Sequence, residues 1–176
     1  EPDGARYRLL QWLDSATSTR SASDDGERLI AVTDAGGEER FVILRPDGGE
    51  PDYLPDLDIG RPLAIAVNPK KDQIVFSNQR FELMLLDLAS RELKLIDRGQ
   101  AARIAGFDWS PDGEWVAYGV SVSLQVSALK LWRAATGETF PLTRPVLRDA
   151  APAFDPQGKN LYFLSYLHFD PVYDNL

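Results

Sequence analysis

Three arginines stand out by position alone. Arg61, Arg103 and Arg148 each lie eight residues ahead of a turn residue, at positions 69, 111 and 156. A guanidinium is always charged and presents a planar fork of donors that fits a carboxylate bidentately. Repeated at one point around an axial channel, three such groups would attract an anion such as the terminal carboxylate of a peptide. The competing reading pairs each arginine with an aspartate near it in sequence, Asp58, Asp97 or Asp149. Arg20 lies only four residues before Asp24 and breaks the register.

No other grouping promises reaction chemistry. The single histidine, His168, has Ser165 three residues before it and Asp170 two after it. Nucleophilic catalysis needs a base and an orienting acid brought together in space, and neighbours along one strand end do not supply that. A surface or interdomain contact is the expected role of His168, and no catalytic residue is expected. The absence of cysteine excludes disulfides, thiolate catalysis and cysteine metal ligands. Asp24-Asp25 and Asp47 lack the spacing of a cation-binding loop. Gly36-Gly37 and Gly48-Gly49 read as hairpin turns rather than a phosphate loop. Neither a metal nor a cofactor is expected.

The elements that would carry the arginines come from a repeat. In Phe107-Asp108-Trp109-Ser110-Pro111-Asp112-Gly113-Glu114-Trp115-Val116-Ala117-Tyr118, two runs of strand-favouring residues flank a tight turn. Pro111 presets φ, Asp112 can bond backbone two residues on, and Gly113 supplies an open dihedral. Related turns stand at Asp24, Pro69 and Pro156, so that positions 24, 69, 111 and 156 are 45, 42 and 45 residues apart. Third strands follow at 40–44, 81–86 and 128–132, and short fourth strands at 52–54, 93–96 and 139–143. Four antiparallel strands per repeat at this period predict an all-β protein of propeller blades, whereas a plain sandwich has no reason to keep the period.

Blades are expected at about 18–54, 61–96, 103–143 and 148–176, with 5–13 as an outer strand left from a preceding blade; 1–176 is then one partial β-propeller of about four blades. Three full blades with a partial one at each end suggest a slice of a larger ring. Its open sheet edges should pair with the rest of the ring or with another copy of the chain. The aromatics Phe107, Trp109, Trp115, Trp132 and Tyr162 are expected in the core between blades, and Asp25, Asp112 and Asp155 as turn-building acids.

The chain has 176 residues and a net charge of −8. Residues 1–60 hold 14 acidic and 6 basic side chains, and residues 61–176 hold 13 of each. That balance argues against nucleic acid, which calls for a basic footprint. No apolar run approaches membrane-spanning length, so a soluble chain is expected, with no membrane partner. Glu1 follows neither an initiator Met nor a signal segment and is expected to begin a trimmed or excised piece.

Repeats built on Ser110-Pro111-Asp112-Gly113 resemble those of TolB-type propellers, prolyl-oligopeptidase relatives and tricorn proteases. The stretch Pro152–Ser165, followed by Phe169-Asp170-Pro171-Val172-Tyr173-Asp174, resembles the end of the second, seven-bladed propeller of tricorn-type serine peptidases. Residues 68–83 and 107–118 are similar to later blades of that propeller, and the likeness covers about 20–174. The resemblance implies a segment of a large cytoplasmic, homo-hexameric peptidase that trims oligopeptides. It further implies that the propeller is non-catalytic and channels or filters peptides, with the catalytic residues in later domains outside this chain. A stand-alone TolB-type propeller that binds a protein partner is the alternative. A signal peptide upstream would favour it, whereas a PDZ-like region and a peptidase domain downstream would favour the first reading.

Overall fold

The computed structural model describes residues 7–13, 28–35, 37–45, 48–104 and 106–166. Within them are fourteen strands. The first sheet is β1 (Tyr7–Leu13), β2 (Arg28–Thr33), β3 (Arg40–Leu44) and β4 (Asp52–Tyr53); the second is β5 (Pro62–Val67), β6 (Gln73–Asn78), β7 (Glu82–Asp87) and β8 (Leu93–Arg98). The third unit is β9 (Phe107–Trp109), β10 (Trp115–Ser121), β11 (Ser127–Arg133) and β12 (Thr139–Pro141), and the last is the pair β13 (Arg148–Phe154) and β14 (Leu161–Tyr166). Neighbours in sequence pair antiparallel within each unit, and one parallel bridge from Ser127 to Arg148 joins the last two. The innermost strands β1, β5, β9 and β13 follow one another in space, which is the layout of successive propeller blades. The sheets form an arc that is not closed among the described residues.

One boundary differs from expectation. The repeat places residues 5–13 as an outer strand of a preceding blade, but β1 pairs with β2 from Tyr7↔Thr33 to Leu13↔Arg28 and is the inner strand of the first sheet. The cause is loop length. Five residues, 68–72, join β5 to β6, whereas fourteen, 14–27, separate β1 from β2, so the inner strand sits too far from its turn to register by spacing.

The cores lie between sheets, and alternation sends each strand's side chains to both neighbours. In β6, Ile74 and Phe76 pack into the core shared with the first sheet, while Val75 packs into the core shared with the third. In β7, Met84 and Leu86 face one way and Leu83 the other. A strand buried on both faces needs a continuous apolar run, and Ile74-Val75-Phe76 and Leu83-Met84-Leu85-Leu86 supply it. Phe76 meets Phe41 edge-on at 5.0 Å across the first interface, and Trp109 meets Trp132 at 6.5 Å within the second core.

Of the aromatics expected inside, Trp109 and Trp132 are buried, Phe107 packs half-buried against their cluster, and Trp115 lies half-buried on Phe140. Tyr162 is 63% exposed, because no further sheet among the described residues packs on β14.

Candidate functional site

Antiparallel connectivity gives the arc two faces. The turns β5–β6, β7–β8, β9–β10, β11–β12 and β13–β14 share one face. The β2–β3, β6–β7 and β10–β11 loops and the connections between blades share the other.

The turn face is tied shut. Gly113 adopts φ 70° and its amide donates to the Ser110 carbonyl at 2.8 Å. The Ser110 hydroxyl donates to Asp112 Oδ1 at 2.5 Å, and the Glu114 amide donates to the same oxygen at 3.0 Å. Those two bonds, the hydroxyl's first, hold the Asp112 carboxyl below its ordinary value. Asn68 builds the equivalent turn by accepting from the amides of Lys70 and Lys71 at 2.8 and 3.1 Å. Its side-chain amide then reaches the next blade and donates to the Gly113 carbonyl at 3.0 Å. Contacts one repeat apart recur along this face: Arg28 to Asp72 at 2.5 Å, Lys71 to Glu114 at 2.8 Å, and Trp109 Nε1 to the Ala66 carbonyl at 3.2 Å.

Among the described residues, the connection face carries clefts. Arg61 ends the β4–β5 connection, Arg103 lies in the β8–β9 connection, and Arg148 opens β13. All three are exposed on this face. The structure does not gather them into one site. Arg61 borders a cleft of about 540 Å³ whose other walls include Glu38, Glu39, Asp56 and Asp58, and its Nε lies 3.7 Å from Glu39 Oε1. Arg103 and Arg148 share a separate cleft of about 240 Å³ between the third and fourth units.

Asp58, Asp97 and Asp149 form no ion pair with these arginines among the described residues. Asp58 accepts from Arg80 Nη1 at 2.6 Å. Asp97 accepts from Lys130 at 2.7 Å and from the Tyr118 hydroxyl at 2.9 Å, which ties the second sheet to the third. Burial is the main influence on that phenol and pushes its pKa well above the ordinary value. Asp149 accepts from the Ser165 hydroxyl at 2.6 Å. His168, Asp170, Arg20, Asp24, Asp25, Gly36 and Asp47 lie outside the described residues. Among those described, no group of three or more His, Asp or Glu side chains could hold a metal.

Sequence reasoning missed a buried ionic cluster beside the first cleft. Glu82, at 7% side-chain exposure, accepts from Asn78 Nδ2 at 2.7 Å, from Arg80 Nε at 2.9 Å and from Arg98. Asn78 also donates to the Ile59 carbonyl at 3.1 Å, so the cluster braces the β4–β5 connection that carries Arg61. Burial pushes the Glu82 carboxyl up, but the bonds from Asn78, Arg98 and Arg80 outweigh it and hold the carboxyl below its ordinary value. A carboxylate held ionised in this way anchors two cations and makes a poor proton acceptor. Its only trace in the sequence is a glutamate opening an apolar run, two residues after an arginine.

Blades radiating from adjacent inner strands, with one face locked and the other open, define a segment of a β-propeller. The whole chain, residues 1–176, matches the family model described as the tricorn protease second beta propeller domain. The chain belongs to that family. It is 31% identical over 173 residues to a tricorn protease homolog of Saccharolobus solfataricus, covering 98% of this chain and 15% of that protein. It is 31% identical over 155 residues to tricorn protease homolog 1 of Streptomyces coelicolor, covering 85% of this chain and 14% of that protein. The crystal structure of the tricorn protease superposes with a TM-score of 0.72 at 26% identity, over 78% of this chain and 14% of that one. TolB from Acinetobacter baumannii superposes with a TM-score of 0.57 at 14% identity, over 77% of this chain and 34% of that one, a likeness of fold alone. The chain thus spans less than a fifth of the length of these tricorn relatives.

Proposed function

We propose that this chain is a non-catalytic propeller segment of a tricorn-like, oligopeptide-degrading serine protease of the cytoplasm. In this reading it serves as scaffold and as a guide for peptides towards an active site carried elsewhere in the protein. The supporting observation is the asymmetry of its faces. The turn face spends its polar groups on bonds within and between turns, whereas the connection face presents Arg61, Arg103 and Arg148 and two clefts. The guanidiniums of Arg103 and Arg148, set in a cleft whose one carboxylate is Asp149, favour the carboxylate end of an approaching peptide over its ammonium end. The open edge of β14, with Tyr162, Leu164 and Tyr166 exposed, is where the rest of the propeller, or another copy of the chain, would pair.

The test is made in the full-length protease carrying this segment, with all three arginines changed to Ala. KM for an oligopeptide of eight or more residues should rise several-fold, while turnover of a minimal chromogenic substrate stays unchanged. If both substrates lose equally, or neither does, the guiding role is wrong.

A further inference from the structure

The two-arginine cleft has features that the three-arginine register does not convey. Arg103 and Arg148 line it from consecutive blades, and neither guanidinium has an ion-pair or hydrogen-bond partner among the described residues. Much of the remaining wall is small: Gly106, Gly119, Ser121 and Ala150. The inner strands meet there closely. A Cβ at Gly106 would stand 3.1 Å from the Ala151 backbone, and Ala151 itself adopts φ 52°, unusual for a residue with a side chain. A backbone pressed together beside two guanidiniums that are unpaired among the described residues, with small residues along much of the wall, leaves a compact recess. The one carboxylate in its wall, Asp149, is 6% exposed and already holds the Ser165 hydroxyl. The Ser127 hydroxyl is likewise spent on the Asp149 carbonyl at 2.5 Å, which leaves Ser121 as the lining hydroxyl without a bond among the described residues.

We infer that the cleft between Arg103 and Arg148 is a subsite for one carboxylate, the free C-terminus of a peptide. Arg61 takes no part in it, because Arg61 sits in a different, acid-lined cleft. The inference rests on the peptide-guiding reading above and narrows it. A peptide fits better than a free inorganic anion because the loops bounding the recess carry exposed apolar side chains. Val122 and Leu124 follow Ser121, with exposures of 48% and 76%, and Val146 precedes Arg148 by two residues at 71%. An apolar residue next to the terminal carboxylate would cover them. Bidentate pairing from two guanidiniums, with Ser121 as a third donor, accounts for the carboxylate itself.

Binding is measured by isothermal titration of the full 176-residue chain with N-acetyl-Ala-Ala-Leu bearing a free carboxylate. The C-terminal amide of that peptide should bind about tenfold more weakly or worse, since charge-assisted bonds are lost. Arg103→Ala and Arg148→Ala should each weaken binding of the free acid about tenfold, and Arg61→Ala should leave it unchanged. Arg103→Lys and Arg148→Lys keep the charge and the exposed packing but remove the fork, and both should still bind more weakly than the parent chain. The inference is overturned if the amide binds as well as the acid, or if Arg61→Ala is as damaging as Arg103→Ala. It is also overturned if N-acetyl-Ala-Asp-Leu-amide, whose only carboxylate is a side chain, binds as tightly as the free acid. If the chain binds as expected but the triple-arginine protease turns over long peptides normally, the subsite stands and the guiding role falls.

Discussion

Gly113→Ala tests whether adjacent blades are locked through their turns. Two costs follow from the structure. Gly113 sits at φ 70°, where a side chain costs about 1–2 kcal/mol. Its new Cβ would stand 2.3 Å from Asn68 Oδ1, so the Asn68 side chain must move and give up its 3.0 Å bond to the Gly113 carbonyl. Losing that buried bond adds about 1–2 kcal/mol, for a total of roughly 2–4 kcal/mol. Asn68→Ala removes the same inter-blade bond and the two acceptor contacts to the amides of Lys70 and Lys71, again about 2–4 kcal/mol. The two changes share one contact, so the double variant should lose about 1–2 kcal/mol less than the sum of the singles. Urea unfolding followed by circular dichroism gives the three free energies, with each kcal/mol also lowering Tm by about 2–4 °C in a chain of this size. Strict additivity would show that the turns do not meet as described and that the blades are held by their apolar faces alone.

Two further perturbations probe other parts of the arc. Phe76→Ala, at a fully buried position edge-on to Phe41, should cost about 3–5 kcal/mol in the same unfolding experiment; a loss under about 1 kcal/mol would mean the first two sheets are not packed through this core. The Glu82 carboxyl is held below its ordinary value of 4.5, so its ion pairs stabilise the fold above that pH, and the benefit fades as pH falls through the lowered folded value. Glu82→Gln should therefore destabilise the chain at pH 7 and flatten the acid limb of its stability curve; an acid limb as steep as in the parent chain would place the titration elsewhere.

The repeat was legible because its signals are local. Pro111-Asp112-Gly113 and Asp155-Pro156-Gln157-Gly158 dictate their turns through backbone dihedrals and bonds a few residues apart, and the structure shows Gly113 and Gly158 at φ 70° and 68°. The alternation of buried side chains in β6 and β7 is local in the same sense. The first inner strand was not legible, because a pairing across fourteen intervening residues leaves no fixed spacing. The Glu82 cluster was hidden for a related reason: its partners at 58, 59, 78, 80 and 98 converge only once the β4–β5 connection folds over the β6–β7 loop.

The arginines divide the two kinds of information most clearly. Sequence by itself determined the all-β propeller architecture and the recurring position of Arg61, Arg103 and Arg148, which follow from short-range propensity and period, and its resemblance determined the family. Only the tertiary structure decided that Arg61 lies among carboxylates while Arg103 and Arg148 share a cleft in which neither has an ion-pair partner among the described residues. Whether a charge is neutralised depends on which side chains approach within a few ångströms through space, and a repeat period carries no record of that.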